Sequence, residues 1–86
     1  MRQATELRQV ADVLERFADY IDAEQHVSVT VNTEGEQTVS VHGSQPATLE
    51  AVERDHKVDT VNRDADGIVR YVALTARGVD LTWFRR

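Results

Sequence analysis

His26-Val27-Ser28-Val29-Thr30-Val31-Asn32-Thr33-Glu34-Gly35-Glu36-Gln37-Thr38-Val39-Ser40-Val41-His42 reads as a β-hairpin. Valine alternates with a polar residue on both arms, the period of a strand with one face buried and one face wet. Between the arms, Asn32-Thr33-Glu34-Gly35 suits a type I turn followed by a glycine in the left-handed conformation, which makes a three-residue loop. That loop sets the register. Val29 falls opposite Val39 and Val27 opposite Val41 on one face, with Ser28 opposite Ser40, Thr30 opposite Thr38 and His26 opposite His42 on the other. A two-residue loop would set valines against threonines, so the hydrophobic pattern selects the longer one.

Upstream, the period changes from two to between three and four. Leu7, Val10, Ala11, Leu14, Phe17, Ala18 and Ile21 share one face of a helix over residues 5–23, a spacing that predicts a core helix. The opposite face carries Glu6, Arg8, Asp12, Glu15, Arg16, Asp19 and Asp22. Asp22 and Glu24 lie against the macrodipole at the helix C-terminus, so fraying is expected there.

Downstream, Gly43-Ser44-Gln45-Pro46 breaks the second strand, and Ser44 with Pro46 suits the start of a short helix through Ala47, Leu49, Ala51 and Val52. Three more strands are expected at about 57–63, 68–75 and 79–85. Their joints, Asp64-Ala65-Asp66-Gly67 and Thr75-Ala76-Arg77-Gly78, both end in glycine and read as three-residue loops. The order α-β-β-α-β-β-β has no linker or low-complexity segment, which makes residues 1–86 a single α+β domain. The expected architecture is an antiparallel sheet of about five strands with the N-terminal helix packed on one face.

The 86 residues include no cysteine. A chain this short buries only about 60 to 65% of the surface that it exposes when unfolded, and without disulfides it leans toward self-association. The lack of cysteine fits a reducing, cytoplasmic compartment. No apolar run reaches the roughly 18 residues of a membrane span, and the first residues lack the apolar stretch of a signal peptide. Residues 1–43 hold 3 basic and 8 acidic side chains, whereas residues 44–86 hold 7 of each. The resulting net charge of −5 disfavours unspecific binding to nucleic acid, which needs clustered Lys and Arg.

Several groups of residues suggest chemistry, and each also has a plainer explanation. His26 and His42, expected about 4.5 to 5.5 Å apart at their β-carbons, form half of a metal site. The nearest further ligands in sequence are Asp22 and Glu24, with His56 placed only by speculation, and two solvated histidines explain the same pattern. Protonating both would set like charges opposite each other. Asn62-x-Asp64-x-Asp66-Gly67 has the front half of a calcium loop, but Ala73 stands where its bidentate Glu belongs, and a hairpin turn suffices. Phosphate-loop, nucleophile and His-Glu metalloprotease motifs are absent. Trp83 and Phe84 must point to opposite faces of a strand, so at most one of them is free to stack on a nucleobase, beside a basic edge of Arg63, Arg70, Arg77, Arg85 and Arg86. The acidic helix face could imitate nucleic-acid phosphates toward a basic protein, although such faces are commonly just solvated.

Leu7-Arg8-Gln9-Val10-Ala11-Asp12-Val13-Leu14-Glu15, the valine-alternating strands and Gly78-Val79-Asp80-Leu81-Thr82 resemble small uncharacterised proteins of actinobacteria and their phages. The resemblance covers both ends of the chain and not the middle. It implies a bacterial or phage accessory protein and no site residue.

These observations converge on a non-enzymatic protein-interaction module without a cofactor. A nucleic-acid-binding domain using the basic edge is the main competitor, and a small metal-dependent enzyme is third. With three-residue loops, Val61, Tyr71 and Trp83 form a row facing the first helix. Val58, Ile68, Val72, Leu74 and Phe84 then form a second apolar face, expected to bind a second copy of the chain or a protein partner.

Overall fold

A computed structural model describes residues 2–86, with side chains described from residue 5 onward. Helix α1 spans Arg2–Arg16, followed by a 3-10 turn at Ala18–Tyr20. Strands β1 (His26–Val31) and β2 (Gln37–Ser44) form the expected hairpin. Helix α2 (Pro46–Asp55) leads to β3 (Thr60–Arg63), β4 (Val69–Ala76) and β5 (Val79–Arg85).

The sheet order is β1-β2-β5-β4-β3. Every neighbouring pair is antiparallel except β2 with β5, which is parallel. The sheet is therefore mixed rather than antiparallel, and α2 is the reason. A helix between two strands returns the chain to the end where the first strand began. From there β3, β4 and β5 walk back by hairpins until β5 lies beside β2 in the same direction.

In β1 and β2 the expected register holds pair for pair, and Gly35 takes the positive φ (87°) that the three-residue loop requires. The last hairpin differs. Arg77 (φ 51°) and Gly78 (φ 79°) make a two-residue turn, and Ala76 pairs with Val79. Compared with a three-residue loop, this moves β4 by one residue and exchanges its faces. Val72 pairs with Trp83, Leu74 with Leu81 and Val61 with Val72, all on the helix side. Holding a non-glycine residue in the left-handed region costs about 1 to 2 kcal/mol. Burying Val72 and Leu74 returns about 1.5 to 3 kcal/mol each, which decides the register.

The second apolar face is thus absent. Val72 and Leu74 are core residues, and Val58 packs half-buried against that core. Ile68 is exposed at a turn, while Phe84 lies half-buried on the open side beside Tyr71.

Helix α1 is rotated from its expected orientation. Val10, Val13 and Phe17 are buried over Val39, Val41, Leu81 and Trp83, whereas Leu7 is 54% exposed and Ala11 and Ala18 face solvent. Leu14 and Ile21 are half-buried. Val10 and Phe17 lie inside as expected, while Val13 takes the place of Leu7, Ala11 and Ala18, so the buried face is turned by less than the one-residue step of about 100°. Val10, Val13 and Phe17 fill the space above the central strands, and Leu14, Ala18 and Ile21 lie toward Val27 of the β1 edge.

Helix α2 begins after Gln45 with Pro46 in its first turn, and Leu49 and Val52 enter the core. Ser44 does not cap it, contrary to expectation. Ser44 is fully buried at the end of β2, where its hydroxyl accepts a hydrogen bond from Gln25 Nε2 at 2.9 Å.

Candidate interaction surface

The two edges of the sheet are built differently. At one edge β3 is four residues long, carries Arg63 and is interrupted by a bulge opposite Asn62 and Arg63. Short length, charge and a bulge are the usual devices that keep an edge from pairing with another chain. At the other edge β1 runs six residues, His-Val-Ser-Val-Thr-Val, with no Asp, Glu, Lys, Arg or Pro and no irregularity in its pairing.

The backbone of β1 offers a further strand a place to dock. The Asn32 amide donates to Glu36 O at 3.0 Å, which closes the hairpin with a bonded pair. Antiparallel pairing alternates bonded with non-bonded pairs, so the amide and carbonyl groups of Val27, Val29 and Val31 point out of the edge. The side chains of these valines lie on the helix side, and Val29 is 43% exposed. Leu14, Ala18, Ile21 and Val27 line an apolar groove of about 280 Å³ between α1 and this edge. A second cleft of about 180 Å³, lined by Arg16, Phe17, His56, Lys57 and Leu74 among others, is predominantly polar. Small-molecule sites typically occupy about 300 Å³ or more.

The sheet face turned away from the helices is rich in hydroxyls. One row runs Thr30, Thr38, Asp80, Thr75 and a second runs Ser28, Ser40, Thr82, Ala73, Thr60. The third row is His26, His42, Phe84, Tyr71, Asn62. In it His42 stacks on Phe84 with centroids 4.8 Å apart and planes 5° from parallel. Tyr71 follows at 6.0 Å and His26 lies 6.5 Å from His42 on the other side. The histidine pair expected from the hairpin is therefore formed, but among the described residues no three His, Cys, Asp or Glu side chains come together as a metal site. The aromatic row was not legible in the sequence, because Phe84 reaches His42 only through the parallel β2–β5 pair.

The expected basic edge is dispersed. Arg63 Nη2 bonds Glu53 Oε1 at 2.6 Å, and Arg85 Nη1 bonds Asp64 Oδ2 at 2.7 Å. Arg77 occupies the turn at the far end of β5. Arg70 and Arg86 are exposed at the end of the sheet that carries the aromatic row, Arg70 being the bulged residue before Tyr71.

Asp64 organises the β3–β4 turn rather than offering ligands. Its Oδ1 accepts from the amides of Asp66 (2.9 Å) and Ile68 (3.0 Å), and its Oδ2 from Arg85. The Arg85 guanidinium, assisted by the two amides, holds this carboxyl below the usual carboxylate range. Arg54, and after it the Tyr20 hydroxyl, lower the Asp55 carboxyl in the same way.

No helix among the described residues is long and apolar enough to cross a membrane. Comparison of the chain with protein-family models, curated proteins and solved structures finds no match.

Proposed function

We propose that the chain is a non-enzymatic protein-interaction module that docks an extended segment of its partner against the β1 edge. The observation that carries this reading is the undefended edge itself: six residues without Asp, Glu, Lys, Arg or Pro, with outward backbone groups at Val27, Val29 and Val31. Strand addition draws affinity from such main-chain groups and specificity from pockets for alternate side chains. The apolar groove of Leu14, Ala18, Ile21 and Val27 beside the edge is such a pocket. The test is selection from a random peptide display library, followed by NMR mapping of the selected peptides. The reading expects peptides with alternating apolar residues that slow exchange of the Val27, Val29 and Val31 amides. Peptides that map only elsewhere, or no enrichment, overturn it.

A second reading has its own support. Phe84 and Tyr71 lie on the open face near Arg70 and Arg86, which have no acidic partner among the described residues. Such a pairing of aromatic rings with free guanidinium groups suits stacking of single-stranded nucleic acid. Fluorescence anisotropy with a short single-stranded oligonucleotide tests it: binding should weaken steeply with salt and be lost in Phe84→Ala.

A further inference from the structure

The edge strand holds no Asp, Glu, Lys or Arg, but its surroundings do. Asp22 and Glu24 precede β1, and Glu34 and Glu36 follow it in the hairpin loop, with no Lys or Arg from residue 17 to residue 53. All four carboxylates belong to exposed residues. Both ends of the docking edge are thus negative while its middle is apolar.

This arrangement discriminates between occupants. A second copy would pair antiparallel about a two-fold axis, the usual symmetry of an isologous contact. Centring that axis on Val29 uses all three outward valines, pairing Val27 with Val31 of the other copy. The same axis sets Asp22 against the other copy's Glu36 at each end of the interface. Like charges at both ends of the interface work against that partner, since repulsion of this kind is a device for rejecting one. A segment with positive charge at both ends meets attraction at the same places.

We infer that the partner of the β1 edge is an extended segment with apolar residues at alternate positions and Lys or Arg flanking them at both ends. The alternate residues enter the groove beside Leu14, Ile21 and Val27, and the flanking cations sit against Glu24 at one end and Glu36 at the other. This rests on strand addition at β1 as the mode of binding and adds the chemistry of the bound segment.

The experiment is an NMR titration with two synthetic peptides, each with three valines alternating with threonines, one flanked by lysine pairs and the other by glutamate pairs. The lysine-flanked peptide should bind with protection of the Val27, Val29 and Val31 amides, and more weakly as salt rises. The glutamate-flanked peptide should not bind measurably. Glu24→Gln with Glu36→Gln should weaken the lysine-flanked peptide by about threefold to tenfold, the effect of losing two exposed ion pairs. Equal binding of both peptides at β1 overturns the charge assignment and leaves strand addition standing. A dimer of the chain alone at micromolar concentration, with the same three amides protected, overturns it in favour of a second copy. Failure of both peptides on a monomeric chain overturns the inference and the docking mode together.

Discussion

The Trp83 indole donates its Nε1 hydrogen to the main-chain carbonyl of Tyr20 at 3.2 Å. Trp83 is fully buried in the sheet, and the bond ties the last strand to the turn that ends the first helix. Phe17 packs on the same indole with centroids 5.6 Å apart, and on His56 at 4.7 Å. The Tyr20 hydroxyl donates to Asp55 Oδ2 at 2.9 Å, so one aromatic cluster joins α1, α2 and β5.

Two substitutions measure this cluster. Phe17→Ala should cost about 3 to 5 kcal/mol of stability, the range for truncating a buried aromatic ring. Trp83→Phe should cost about 2 kcal/mol or more, from lost volume and a carbonyl left without its donor. Urea denaturation midpoints check both, and a loss below about 0.5 kcal/mol in either would contradict the packing.

The orientation of α1 has a clean test. Val13→Asp should abolish folding, because it buries a charge without a partner. Leu7→Asp should change stability by only about 0.5 kcal/mol, as exposed sites generally do. Circular dichroism melts that reverse this order would restore the orientation in which Leu7 faces the sheet.

Much of the fold was legible from neighbouring residues. The β1–β2 register followed from one turn and an alternating pattern, and each was confirmed by the other. Helix α1 was legible as a helix, with Val10 and Phe17 in its core face, but periodicity alone did not show that Val13 rather than Leu7 completes that face. The β4 register turned on the Thr75–Gly78 joint, whose closing glycine read as a three-residue loop although Arg77 and Gly78 make a two-residue turn. The open-face row of His42, Phe84 and Tyr71 depended on a strand pair separated by most of the chain. The undefended character of β1 was present in its composition, but its position at an edge was not.

Arg77 supplies a prediction of the opposite sign. Because its φ of 51° is costly for a side chain with a β-carbon, Arg77→Asn should stabilise the protein by up to about 1 kcal/mol, asparagine before glycine being favoured in two-residue hairpin turns. An unchanged or lower melting temperature would argue that the turn is longer than two residues.

Asp64 gives the protein an acid-sensitive point. Its carboxyl is held below its ordinary value when folded, so the unfolded chain takes up a proton first as the pH falls. The stabilisation is complete above the ordinary carboxylate pKa of about 3.9 and is lost as pH drops through the lower folded value. Arg85→Gln removes the main cause, and stability should then fall less steeply below about pH 4. An identical acid limb of the pH-stability curve in that variant would show that the Asp64–Arg85 pair contributes nothing.

The parallel pairing of β2 with β5 also dictates when the sheet can be completed. Val39 meets Leu81 and Val41 meets Trp83 across more than forty residues of chain, so the middle of the sheet cannot close until β5 has been synthesised. Until β5 docks, the β1–β2 hairpin has two bare edges and α1 has no indole to pack against. Closing so long a loop before any reward from packing slows folding. During that interval, a β5 strand from a neighbouring molecule would fit the vacant slot as well as the chain's own, which makes crowded synthesis the condition under which this small domain is most prone to exchange strands.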